Sequence, residues 1–255
     1  MQYKIQVLNN ISPIGLERLP AEHYSFSESE PQPDAILLRS QDLHDMDTPD
    51  SLLAVGRAGA GVNNIPLEQM TGQGVVVFNA PGANANAVKE LVIAGMLVAC
   101  RNLVSACQFV EGLEGDDEQI RQQVEAGKKN FSGFELPGRT LGVVGLGAIG
   151  VRIANAARAL GMNVVGFDPR ISIEHAWALS SDVKAVENID ELLSQSDFIT
   201  FHVPLIDDTR NLINAQSLKI IKHQAVILNF ARNGIVDDQA ACDALDSGKL
   251  YAYVC

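Results

Sequence analysis

The sequence predicts an α/β protein: a doubly wound parallel sheet preceded by a second, smaller α/β domain. Three observations carry that expectation. From Thr140 onward, short apolar strands alternate with helices of crossover length. Several earlier runs are apolar on both faces, which suits parallel strands covered by helices. The strand beginning at Thr140 opens directly into Gly145-x-Gly147-x-x-Gly150. At 255 residues the chain has room for two domains, and an apolar fraction of 47% supplies each with a core.

In the first part, strands are expected at Lys4–Leu8, Ala35–Leu38, Leu52–Val55 and Val75–Phe78. Ser25–Asp34 reads as a connection, because Pro31 and Pro33 break any helix there. Apolar residues at three- and four-residue steps make Asn84–Gln108 one long helix. The charged stretch Glu111–Lys129 reads as a second, exposed helix or arm. Strands then follow at Leu141–Val144, Val164–Phe167, Asp197–Phe201, Ala225–Leu228 and Tyr251–Val254. Between them lie helices at Ile149–Leu160, Asn188–Leu193, Ala215–Ile220 and Asp237–Leu245. This places a smaller, flavodoxin-like domain at residues 1–90 and a Rossmann nucleotide-binding domain at residues 91–255.

The glycine turn carries the chemistry. Gly145 makes the tight turn, Gly147 lets backbone approach a pyrophosphate, and Gly150 lets helix pack on strand. The following helix aims its unpaired N–H groups and positive dipole end at that pyrophosphate. Asp168 closes the second strand eighteen residues past Gly150, at the distance of an acid that grips a ribose hydroxyl. Dinucleotide binding explains this acid, whereas a ligand-free glycine turn does not.

A net charge of −12, with Lys128-Lys129 the only adjacent basic pair, excludes a nucleic-acid or membrane surface. The longest apolar stretch, near Leu91–Cys100, is too short to span a bilayer. Met1–Leu8 shows no basic leader, and three of the four cysteines sit in or beside apolar runs as small buried hydrophobes. A cytoplasmic location is expected. Neither histidines nor cysteines have metal-ligand spacing, so no metal is expected. No Gly-x-Ser-x-Gly elbow supports a hydrolase.

Three loops sit at carboxyl ends of expected strands, where ligands bind in such sheets. Gly56–Asn64 offers open backbone N–H groups, with Arg57 as a cation for carboxylate or phosphate; a flexible glycine loop with a surface arginine reads equally well. Asn79–Asn84 repeats the arrangement before the long helix. Asn229–Asp237 presents Arg232 where a cleft between the domains is expected, suited to clamp a 2-oxo acid.

Taken in order, Arg57–Asn64, Asn79–Glu90, Phe131–Gly138, Gly145–Gly150, His202–Pro204 and Asn229–Asp237 resemble the D-isomer-specific 2-hydroxyacid dehydrogenases across nearly the whole chain. The resemblance is closest to members acting on D-3-phosphoglycerate. It implies hydride transfer between NAD and C2 of a small phosphorylated 2-hydroxy acid, at the start of serine synthesis. By the same resemblance, Ala148 and Ile149 would meet the pyrophosphate and Asp168 the adenosine ribose. Val203, Pro204, Phe230, Ala231 and Arg232 would line the cofactor, with Ala80 near the nicotinamide. Arg57, Ala58, Gly59, Gly82 and Ala83 would hold substrate, with Arg232 the catalytic arginine. Asp168 favours NAD over NADP, though Arg170 lies two positions on.

The pattern departs in two places. Asn84–Ala87 lacks the hydroxyl residues often found there. The glutamate and histidine that serve as the family's general acid, and an aspartate meeting the nicotinamide, are expected beyond Cys255, so the chain reads as the N-terminal part of a longer product that is inactive alone. His202 reads as a packed core histidine, and His23, His44, His175 and His223 as exposed. A homodimer through Asn84–Gln108 is implied. A glyoxylate or hydroxypyruvate reductase of the same family remains open, to be separated by a second cation beside Arg57 such as Arg39. So does a non-catalytic NAD-sensing module.

Overall fold

The computed structural model describes residues 2–255, which divide into two compact units meeting between Asn84 and Ala85. The first unit holds β1 (Tyr3–Leu8), α1 (Pro13–Leu16), β2 (Tyr24–Ser27), β3 (Ala35–Leu38), β4 (Ala54–Arg57), α2 (Leu67–Gly72) and β5 (Val76–Asn79). All pairings are parallel, in the order β2-β1-β3-β4-β5. That is the flavodoxin-like order, with the chain reversing direction across the sheet between β1 and β3. Its core is small: Ile36, Leu38, Val55 and Met70 are fully buried, joined by Leu43, Leu52, Ile65 and Val75. β2 starts at Tyr24 and runs into the stretch expected to be a connection. It is an edge strand, half exposed and without a continuous apolar run, so little in its sequence announces it.

The second unit opens with α3 (Ala85–Cys100), α4 (Leu103–Glu111) and α5 (Asp117–Gly127), then a 3-10 turn at Lys128–Phe131. The sheet follows: β6 (Thr140–Val144), α6 (Gly150–Ala159), β7 (Asn163–Phe167), α7 (Ile173–Ala178), β8 (Lys184–Ala185), α8 (Ile189–Gln195), β9 (Phe198–Phe201), α9 (Ser217–Ile220), β10 (Ala225–Leu228), α10 (Asp238–Asp246) and β11 (Leu250–Val254). The strand order β11-β10-β9-β6-β7-β8 is that of a doubly wound Rossmann sheet. β6, β9 and β10 are buried on both faces, as their continuous apolar runs require. On one face α3 and α6 contribute Val92, Met96, Cys100, Ile153, Ala154 and Ala157. On the other, α8, α9 and α10 contribute Leu192, Leu193, Leu218 and Ala241.

The single long helix expected over Asn84–Gln108 is in fact two, bent by 63°. Asn102 adopts φ 54, in the left-handed region, and breaks the ladder. Tertiary contacts hold it there. Tyr251 donates its hydroxyl to Asn102 Oδ1 at 2.6 Å, and Asn102 Nδ2 donates to the Ser132 carbonyl. The Phe134 N–H takes the Cys100 carbonyl at 2.9 Å, where another helical turn would have bonded. Gly133 admits this approach, since a Cβ there would overlap that same oxygen.

α4 therefore leaves the sheet, and Cys107 on it is exposed. Cys242 and Cys255 are exposed too, so only Cys100 is the buried hydrophobe expected of three. Among the described residues no single helix is long and apolar enough to cross a membrane.

Three substitutions test the bend. Tyr251→Phe should cost about 1 kcal/mol of unfolding free energy for the lost hydrogen bond. Asn102→Gly, which suits the left-handed φ but loses both side-chain hydrogen bonds, should cost about 1–3 kcal/mol, and Asn102→Ala about 1–2 kcal/mol more. Urea unfolding measures all three; an Ala variant as stable as the Gly variant would reject a left-handed break.

Candidate functional site

In the second unit the ends of β6, β7, β9 and β10 bring together most of the residues expected to bind a dinucleotide. β6 pairs with β7 on one side and β9 on the other, so the turn after β6 sits at the point where the sheet reverses. Gly145 has φ 91, and a Cβ on it would lie 2.6 Å from the His202 carbonyl oxygen and 2.8 Å from Val203 Cγ1. Its N–H donates to the Phe167 carbonyl. Gly150 is forced for a different reason: a Cβ there would overlap the Gly145 carbonyl. At Gly147 an added Cβ would meet nothing within 4 Å, so this stretch of backbone borders open space.

Ala148 and Ile149 are half-buried beside that opening, and α6 begins at Gly150. The free N–H groups of its first turn, with the positive end of its dipole, suit a diphosphate. Asp168 completes the cradle. Its Oδ2 accepts from the Leu146 N–H at 2.8 Å and its Oδ1 from the Arg170 N–H at 2.9 Å. These two bonds fix the carboxylate while leaving lone pairs on both oxygens for vicinal hydroxyls. They also clip the glycine turn to the end of β7, which the sequence does not announce.

Along the same edge, Val203 is half-buried and Pro204 exposed. Phe230 and Ala231 are half-buried and Arg232 exposed. The Phe230 ring packs against Gly95 of α3, where an added Cβ would come within 3.1 Å of it, so Phe230 anchors its loop to the core. Asn229, 8% exposed, shapes the rest. Its Nδ2 donates to the Arg232 carbonyl and toward the Tyr253 hydroxyl, and its Oδ1 accepts from the Ala231 N–H. Arg232 donates to the Ala231 carbonyl at 2.7 Å.

His202 follows β9, its Nε2 2.9 Å from the Thr200 hydroxyl. Burial holds its imidazole far below the usual range, at about 3. It is neutral at physiological pH and poorly suited to deliver a proton as an imidazolium. His23, His44 and His223 are exposed, while His175 is half-buried, its N–H bonded to Ser172 at the start of α7. Among the described residues no group of His, Cys, Asp or Glu is placed to hold a metal ion.

The remaining expected site residues lie in the first unit, also at carboxyl ends of strands. A small cavity, about 220 Å³, is lined by Arg57, Ala58, Asn79, Ala80, Gly56, Phe78, Ile11 and Leu37. The Arg57 guanidinium folds over Gly59, where any Cβ would collide with it. The Ala80 N–H donates to the Gly59 carbonyl and Asn79 Nδ2 to the Ala60 carbonyl, so the two loops are laced together. Gly82, at φ 78, turns the chain toward α3, followed by exposed Ala83.

Arg39 stands one residue beyond β3, next to the β4 end, since Leu38 pairs with Arg57. Its loop is clasped by two asparagines. Asn9 Oδ1 accepts from the Ser40 and Gln41 N–H groups at 3.1 and 2.5 Å. Asn64 Nδ2 donates to the Arg39 and Gln41 carbonyls at 3.4 and 2.6 Å.

Residues 94–255 match the family described as D-isomer specific 2-hydroxyacid dehydrogenase, NAD binding domain. A D-3-phosphoglycerate dehydrogenase of Methanocaldococcus jannaschii is 41% identical over 203 residues, covering 80% of this chain and 36% of the relative. A hydroxypyruvate reductase of Thermotoga maritima is 34% identical over 230 residues, covering 87% and 68%. The chain thus spans about two-fifths of the phosphoglycerate dehydrogenases it matches. The apo structure of Rhodotorula graminis D-mandelate dehydrogenase superposes with a TM-score of 0.80 at 25% identity, covering 99% of this chain and 80% of that one.

Two measurements follow from this geometry. The unfolded chain protonates His202 below about 6.5 and the folded chain only near 3. Stability from the neutral ring is therefore complete above pH 6.5 and falls by about 1.4 kcal/mol per unit as pH drops toward 3. His202 ring resonances should stay fixed from pH 8 to 5 by NMR; a midpoint near 6.5 would overturn the assignment. Asp168→Ala should weaken NADH binding by about 1.5–3 kcal/mol in calorimetry, and unchanged affinity would put the ribose elsewhere.

Proposed function

The chain belongs to the D-isomer specific 2-hydroxyacid dehydrogenases, with NAD as cofactor, and from that premise we propose that it serves the oxidation of D-3-phosphoglycerate to 3-phosphohydroxypyruvate, opening serine synthesis in the cytoplasm. The observation that carries the phosphate reading is the Arg39 loop. A phosphorylated three-carbon acid needs a second cation besides the one that takes its carboxylate. Arg39 sits beside the end of β4, on a backbone that four side-chain hydrogen bonds hold in place. Several relatives named D-3-phosphoglycerate dehydrogenase, 35–41% identical, support the same reading.

The open backbone at Gly147, the first turn of α6 and the clipped Asp168 fit a dinucleotide's diphosphate and ribose. Ala148 and Ile149 would flank the diphosphate. Val203, Pro204, Phe230 and Ala231 would border the rest of the cofactor, with Ala80 near its nicotinamide. When bound, NAD supplies the hydride acceptor. The chain's own residues would bind and orient the acid. Arg57, Ala58, Gly59, Gly82 and Ala83 would hold it, Arg39 would take its phosphate, and Arg232 would fix the carboxylate and stabilise charge at the C2 oxygen. His202, held neutral, would pack rather than move the proton. With no histidine among the described residues both buried and paired with a carboxylate, these 255 residues alone would bind NADH and turn over little.

Leu91, Leu97, Leu103, Val104 and Val110 expose apolar side chains along α3 and α4. A homodimer through these helices would cover them.

The Thermotoga maritima relative, 34% identical, supports a second reading, a hydroxypyruvate reductase. Steady-state kinetics of the full-length protein separate the two. The kcat/KM for 3-phosphohydroxypyruvate should exceed that for hydroxypyruvate by about a hundredfold, as expected for one charge-assisted contact. A preference for the unphosphorylated acid would install the second reading.

A further inference from the structure

We propose that Asn9 and Asn64 are positioning residues for phosphate recognition, holding the Arg39–Gln41 loop in its binding conformation before any ligand arrives. The inference rests on the phosphorylated-substrate reading above and assigns roles to two side chains outside it. Arg39, Ser40 and Gln41 are all exposed. An exposed loop ordinarily leaves its backbone to water and keeps its mobility. Here the N–H groups of Ser40 and Gln41 are taken by Asn9, and the carbonyls of Arg39 and Gln41 by Asn64.

The two clasps come from distant segments. Asn9 follows β1 and adopts φ 63, a left-handed conformation that asparagine tolerates and most residues resist. Asn64 is 8% exposed, ahead of α2, and its own carbonyl accepts from the Leu43 N–H. It therefore secures the loop on its far side as well. With its backbone groups so engaged, the loop meets a ligand chiefly through side chains. Ordering cost that a free loop would pay on binding is already met in folding, and the gain appears as affinity for the group Arg39 meets.

The test uses the full-length protein with Asn9→Gly, which keeps the left-handed φ and deletes the amide. Its KM for 3-phosphohydroxypyruvate should rise about tenfold, worth about 1.4 kcal/mol, with kcat changed less than about twofold. KM for hydroxypyruvate and the dissociation constant of NADH should stay where they are. Competitive inhibition by inorganic phosphate should weaken by the same factor. Asn64→Asp, which cannot donate to the two carbonyls, should move the same parameters in the same direction. If that buried substitution lowers the melting temperature sharply, Asn9→Gly alone decides.

Equal losses for both acids, or an unmoved KM for the phosphorylated one, would reduce the asparagines to scaffold and end the proposal. A wild-type enzyme that prefers hydroxypyruvate would remove the phosphate reading and this inference with it. A phosphate-selective wild type with an unaffected Asn9→Gly removes only the inference.

Discussion

Close approach of backbone to backbone after β6 is the constraint on which the larger unit depends. At Gly145 the space a side chain would occupy belongs to the His202 carbonyl and Val203; at Gly150 it belongs to Gly145 itself. Because strand, turn and helix meet without side chains between them, α6 starts directly at the sheet edge. Its unpaired N–H groups then face the opening beside Gly147. Asp168 adds the cross-tie, bonding the Leu146 N–H from the neighbouring strand end. One crowded turn thus sets the helix direction, the open backbone at Gly147 and the position of Asp168.

The first unit solves a comparable problem by other means. Its sheet is smaller and its helices α1 and α2 are short, so the loops after β1, β3, β4 and β5 cannot borrow rigidity from long packed elements. Asparagine side chains do the lacing instead: Asn9 and Asn64 around Arg39, and Asn79 between the β4 and β5 loops. Asn229 does the same for the Arg232 loop of the second unit. An amide can serve either kind of main-chain group: Asn9 uses its oxygen, Asn64 and Asn79 their nitrogens, and Asn229 both.

How much of this was legible follows from how local each signal is. Strands β6, β7, β9 and β10 announce themselves because burial on both faces writes a continuous apolar run. The glycine turn and Asp168 are legible because their spacing is fixed within one β-α-β unit. β2, α7 and the two-residue β8 have exposed faces and leave no such run. Asn102 sits within a continuing apolar period and gives no local warning of the bend, since its partners are Ser132 and Tyr251. The asparagine clasps are silent in sequence for the same reason: Asn9 and Gln41 lie 32 residues apart.

The bond between Tyr251 and Asn102 spans 149 residues, which bears on the order of events during synthesis. On a ribosome, α3 and α4 emerge on the order of ten seconds before Tyr251 exists. Until β11 arrives, nothing from that strand holds Asn102 in its left-handed turn, and the apolar period favours a straight continuation past Cys100. The nascent chain therefore carries its exposed leucines and valines on a helix whose direction is not yet set. A chaperone that covers this segment early and releases it only once β11 has docked would shield those side chains during that interval.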